Sequence, residues 1–117
     1  MADVLALVDD LFFQAKIVET ARHAGIVLKT CGTGDALLAE IAREQPKLII
    51  VDLNARSGPL ETIQKLGASG NQTPVIAYLS HVQTELAERA REAGCRGVMP
   101  RSKFSANLAT ILAGTKS

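Results

Sequence analysis

Apolar residues fall along this chain in five short runs, each followed by a longer stretch in which they recur every third or fourth position. The runs are Val4–Val8, Ile26–Thr30, Leu48–Val51, Val75–Leu79 and Gly97–Met99. Continuous apolar character over so few residues marks a strand covered on both faces. Helical spacing fills the intervals. Phe13, Ile17, Ala21 and Ala24 share one stripe of a helix over Leu11–Ala24, which Gly25 stops. Thr33 or Asp35 opens a second helix, carrying Leu37, Leu38 and Ile41 and ending near Gln45, before Pro46. Further helices are predicted over Pro59–Ala68, Val82–Ala93 and Ser105–Ala113, the last with Leu108, Ile111 and Leu112 inward.

Strand starts recur every 22 to 27 residues or so, the rhythm of βαβ units in a parallel sheet. Right-handed crossovers then give an α/β, flavodoxin-like, doubly wound three-layer sandwich. Its five-stranded parallel sheet has the order 2-1-3-4-5, with five helices on its faces. Strand 3 is the most apolar and therefore central. Ligands of such a sheet lie outside the carboxyl ends of the strands, at the topological switch.

Composition narrows the function. At 117 residues the chain reads as one domain, 1–117, and 47% apolar residues suffice for a core without disulfides or structural metal. Lys plus Arg number 13 and Asp plus Glu 12, without the basic excess of a nucleic-acid binder. No apolar run reaches the length of a membrane span, and the first residues read as a strand rather than a signal peptide. Cys31 and Cys95 belong to no metal-binding spacing and read as free buried thiols of a reducing, cytoplasmic compartment.

Candidate chemistry concentrates on three carboxylates. Asp9 and Asp10 follow strand 1 directly, and Asp52 ends strand 3. With strands 1 and 3 adjacent, all three reach one rim, where mutual repulsion raises their pKa values. A hard dication such as Mg²⁺ relieves that repulsion through oxygen ligands. Asp9 or Asp10 also suits the N-cap of helix 1, but capping does not account for a carboxylate ending the most buried strand.

On these residues the sequence resembles a known family. Leu7-Val8-Asp9-Asp10, followed by Ile49-Ile50-Val51-Asp52-Leu53-Asn54, is similar to the response-regulator receiver domain, the chemotaxis-type module of two-component signalling. The resemblance extends over essentially the whole chain, including the Ala93-Gly94 step before strand 5. It implies that Asp52 accepts phosphate from a histidine kinase or phosphotransfer protein. It implies Mg²⁺ held by Asp9, Asp10, Asp52 and the main-chain carbonyl of Asn54.

The sequence also departs from that pattern. The family's Ser or Thr at the end of strand 4 falls on Leu79, with Ser80 one residue later. Ser80 is thus either the hydroxyl partner of a phosphoryl group or the N-cap of helix 4. The family's lysine at the end of strand 5 falls on Arg101, with Lys103 nearby. Either cation is a candidate for phosphate contact, although an arginine fork does not replace an ammonium point for point. The loop after Asp52 reads as shortened, with Arg56 and Pro59-Leu60 at places the family gives to Pro and Gly. The aromatic switch position of strand 5 is Val98. The resemblance is therefore to an atypical receiver, and its alternative is a pseudo-receiver that binds protein without phosphorylation. The predicted partner surface is helix 4, strand 5 and helix 5, and a homodimer stays open.

An enzyme is not expected. Asp9-Asp10-Leu11 lacks the Asp-x-Asp of a haloacid-dehalogenase-type phosphatase, and Leu11-Phe12-Phe13 is unlike a flavodoxin phosphate loop. No dinucleotide or P-loop motif occurs. His23 and His81 lack a nucleophile–base–orienter set and read as surface residues, as does the Glu85–Arg89 pair.

Overall fold

The computed structural model describes residues 2–80 and 83–116. Five parallel strands, β1 (Val4–Leu7), β2 (Leu28–Cys31), β3 (Leu48–Asp52), β4 (Val75–Leu79) and β5 (Gly97–Pro100), form one sheet in the order β2-β1-β3-β4-β5. Five helices connect and follow them: α1 (Leu11–Ala24), α2 (Gly34–Arg43), α3 (Pro59–Ala68), α4 (Thr84–Glu92) and α5 (Arg101–Ala113). The doubly wound sandwich expected from the pattern is the fold observed.

Two cores line the sheet, and the strand period of two sorts residues between them. Leu5, Leu7, Ile49, Val51, Ala77 and Leu79 pack under α2, α3 and α4. Val4, Ala6, Ile50 and Tyr78 pack under α1 and α5, whose stripes supply Phe13, Ile17, Ala21, Phe104, Leu108 and Leu112. Every residue of β1 and β3 is buried, which is why these strands read as unbroken apolar runs. Cys31 and Cys95 are free and buried, and burial pushes the Cys95 thiol up to about 11.

Several boundaries move, each for a local reason. β2 begins at Leu28 rather than Ile26 because Ile26 belongs to the stop of α1. Gly25 is left-handed at φ 72°, and the Gly25 and Ile26 N–H groups donate back to the Arg22 and Ala21 carbonyls. Thr33, not Asp35, caps α2, its hydroxyl accepting from the Ala36 N–H at 3.1 Å. α2 stops at Arg43 because Glu44 is already extended, at φ −156°. α5 starts at Arg101, a turn before the expected Ser105. Pro100 sets the entry at φ −60°, and the first turn bears exposed Ser102 and Lys103, which hide the helical period. The expected start of α4, Val82, and the side chain of His81 lie outside the described residues.

Candidate functional site

The carboxyl ends of β1, β3, β4 and β5 meet at one edge of the sheet, and the chain leaves each in a loop that bears polar residues. Asp10 is the N-cap of α1, with Oδ1 accepting from the Phe12 N–H at 3.0 Å and the Phe13 N–H at 3.2 Å. Its Oδ2 accepts from Arg101 Nη2 at 3.0 Å. The Phe13 N–H above all holds the carboxyl below its ordinary range; desolvation opposes it, and Arg101 and the Phe12 N–H add to the lowering. Asp9 turns the other way: its Oδ2 accepts from the Arg56 main-chain N–H at 2.9 Å. The Arg56 side chain stands 3.8 Å off and is almost fully exposed, so it contributes little.

Asp52 closes β3 with only 2% of its surface exposed. It shares the α1/α5 face with Ile50, two residues before it, and pairs in register with Tyr78 of β4. Its Oδ1 accepts from the Asn54 N–H at 2.8 Å. Burial pushes its carboxyl above the ordinary range; the Asn54 N–H and Arg101 oppose the rise, and Asp9 and Asp10 add to it.

Arg101 is the cation of the rim. It opens α5, reaches across to Asp10 and lays its guanidinium over the Phe13 ring, 4.8 Å from the centroid. Its Nε is buried without a hydrogen-bond partner among the described residues. Beneath lies an aromatic trio, with Tyr78 stacked on Phe104 at 4.7 Å and tilted on Phe13 at 5.0 Å. The Tyr78 hydroxyl is also buried, with no partner among the described residues. Burial, and next the Asp52 charge, push it far above its usual range.

Ser80 is engaged with Asn54. The Asn54 side-chain carbonyl accepts from both the Ser80 N–H, at 2.6 Å, and the Ser80 hydroxyl, at 2.9 Å. The Asn54 amide donates to Gln83 Oε1 at 2.9 Å, so the loops after β3 and β4 are tied together. Ser80 is not the cap of α4; Gln83 holds that position without a side-chain capping bond. Leu79, at the place where a hydroxyl was expected, is buried in the core. Lys103 is exposed on the first turn of α5 and joins none of the ion pairs found among the described residues. Arg101, and not Lys103, is the cation brought to the rim.

The expected Mg²⁺ ligands share the rim without converging on one point. The donors have the right chemistry, carboxylate oxygens on one edge. Yet among the described residues no three Asp, Glu, His or Cys side chains converge as a metal site. The physical reason is the geometry above: both oxygens of Asp10 are committed, one to the cap and one to Arg101, and Asp9 is turned onto Arg56.

Nothing in the local pattern marks the Asn54 side chain as a bridge, because its partners lie 26 and 29 positions away. Tyr78 did carry one: it is the chain's single tyrosine, set inside an apolar strand.

No protein-family model matches the chain, and no curated protein matches it in sequence. Solved structures do match in shape. The receiver domain of NtrX from Brucella abortus superposes with a TM-score of 0.83 at 19% identity, covering 97% of both chains. The chemotaxis response regulator CheY4 of Vibrio cholerae gives 0.83 at 21% identity, covering 98% of both. The signal receiver domain of the putative response regulator NarL from Mycobacterium tuberculosis gives 0.82 at 16% identity, over 99% of this chain and 97% of that one. From end to end, the chain has the fold of the receiver domains of response regulators.

Proposed function

We propose that this chain is a receiver module of two-component signalling, in which Asp52 accepts a phosphoryl group from a histidine kinase or phosphotransfer protein. The observation that carries the reading is the placement of Asp52: a buried carboxylate ending the central strand, in the field of Arg101 and between the Asn54–Ser80 bridge and the Asp9-Asp10 turn. In the transfer a carboxylate oxygen attacks phosphorus, the bond from phosphorus to the donor breaks, and the donor's leaving group takes up a proton. The chain is the acceptor in this chemistry and not an enzyme. Mg²⁺, when bound, supplies charge neutralisation at the transferring group; Asp9, Asp10, Asp52 and the Asn54 carbonyl are its proposed ligands. Arg101 is the proposed phosphate contact, and Ser80 becomes one only by letting go of Asn54. The setting proposed is the cytoplasm, consistent with the finding that no described helix is long and apolar enough to cross a membrane.

One observation favours a second reading, a phosphorylation-independent protein-binding module. The read-out positions are altered, with Leu79 buried and Val98 in place of an aromatic, while a cleft of about 210 Å³ lies between α4 and β5. Incubation with a small phosphodonor and excess Mg²⁺, followed by intact-protein mass spectrometry, separates the two. The first reading predicts one added phosphoryl group on the wild type and none on Asp52→Asn. No gain on the wild type, or an equal gain on both, leaves the second.

A further inference from the structure

The rim of this receiver fold is already neutralised from within. Both carboxylate oxygens of Asp10 are engaged: Oδ1 accepts from the Phe12 and Phe13 N–H groups, and Oδ2 from Arg101. The Asp10–Arg101 pair differs from the chain's other ion pairs. It joins residues 91 positions apart, and both side chains are about two-thirds buried, at 36% and 33% exposure. The other pair at the rim, Arg56–Asp9, has an arginine 91% exposed and a separation of 3.8 Å.

Three features fix the guanidinium in place. Pro100 directs Arg101 into the first turn of α5 with a restricted φ of −60°. The Phe13 ring lies under its plane at 4.8 Å. Phe13 is itself held by Asp10 through its N–H. Arg101, Asp10 and Phe13 thus form a closed triangle, each side of which is an observed contact. A guanidinium suits such a half-dry position better than an ammonium would, because its charge is delocalised and more weakly hydrated.

We propose that Arg101 is the resident counter-ion of the acidic rim, holding Asp10 so that a divalent cation binds there only when the guanidinium lets go. The proposal rests on the reading of the rim as a phosphoryl-accepting site only in choosing Mg²⁺ as the competitor. It has a consequence for coupling. An anion that draws Arg101 away from Asp10 toward Asp52 opens the rim to a cation. By linkage, a cation on Asp10 frees Arg101 for the anion by the same factor.

The test is calorimetric titration of Mg²⁺ into the full chain at constant ionic strength, with no phosphodonor present. Arg101→Met removes the charge and leaves an apolar stem on Phe13. The expected result is roughly tenfold tighter Mg²⁺ binding than wild type, toward the lower end of the usual range for coupled sites. Adding Asp10→Asn to that variant abolishes the gain. Equal or weaker binding by Arg101→Met overturns the proposal, as does a gain that survives Asp10→Asn. If Arg101→Met does not fold, the wild type is read by NMR during the same titration. The Arg101 Nε–H resonance then shifts together with the Phe12 and Phe13 amides; movement of the amides without Arg101 overturns the proposal. Labelling of Asp52 is a separate experiment, so failure of that reading leaves this result standing, and the reverse holds as well.

Discussion

The Asn54 side-chain carbonyl accepts two hydrogen bonds from Ser80, one from its main chain and one from its hydroxyl. This contact bridges the loops after β3 and β4, and the Asn54 N–H in turn donates to Asp52 Oδ1. Asn54→Ala removes both bonds and the amide contact to Gln83. The expected loss of stability is about 1 kcal/mol, since these groups are exposed and water replaces the partner. Hydrogen exchange of the Ser80 amide is expected to quicken roughly tenfold. Unchanged exchange at Ser80 would show that the bridge does not order the loop.

Asp52 makes a pH-dependent contribution whose sign is fixed. Burial holds its carboxyl above the ordinary value of 3.8, so the folded chain binds the proton more tightly than the unfolded one. Stability from this group therefore falls as pH rises from about 3.8 through the raised value. Asp52→Asn keeps the shape and an acceptor for the Asn54 N–H but cannot ionise. It should be more stable than wild type at neutral pH by about 1–3 kcal/mol, and the gap should close below the ordinary carboxylate range. Asp10 shifts in the opposite direction, but it is common to both proteins and cancels in the difference. Urea unfolding across pH measures the gap; one that does not vary with pH contradicts the account.

The Tyr78 hydroxyl is buried without a partner among the described residues, while its ring is fully packed between Phe13 and Phe104. Removing an unsatisfied buried hydroxyl and keeping the ring should stabilise the fold. Tyr78→Phe is expected to gain about 1 kcal/mol in chemical denaturation. A loss of similar size would mean that the hydroxyl finds a hydrogen-bond partner in solution.

Gly34 opens α2 against the start of α3. A Cβ there would lie 2.0 Å from Thr62 Oγ1, which is held in turn by donating to the Gly58 carbonyl at 3.0 Å. Alanine is the better helix former, yet Gly34→Ala is expected to destabilise by about 1–3 kcal/mol because the neighbour must move. In a Thr62→Ala background most of that loss should vanish. A double-mutant cycle in urea reads the coupling, and simple additivity would refute the steric account.

The fold was legible because its information is local. Val4–Leu7 and Leu48–Val51 are apolar on both faces, and only a sheet covered on both sides explains such runs. Topology then places Asp9, Asp10 and Asp52 on one edge. The direction of their side chains was not legible. Asp10 serves cap and ion pair at once through a partner 91 residues away, and Asp9 answers to the Arg56 backbone 47 residues away. The same limit separates Arg101 from Lys103. Two positions apart in sequence, they sit on different sides of a helical turn that the polar Ser102 and Lys103 had concealed. Where the sequence suggested three carboxylates awaiting a cation, the structure shows them held by the chain's own donors.

Phosphorylation of Asp52 is tested most directly at the level of the single residue. An acyl phosphate on aspartate is reduced by borohydride to homoserine, which peptide mass spectrometry locates. After reaction with a small phosphodonor in excess Mg²⁺, homoserine is expected at position 52 and at no other aspartate. Homoserine at Asp9 or Asp10, or at no position, contradicts that expectation.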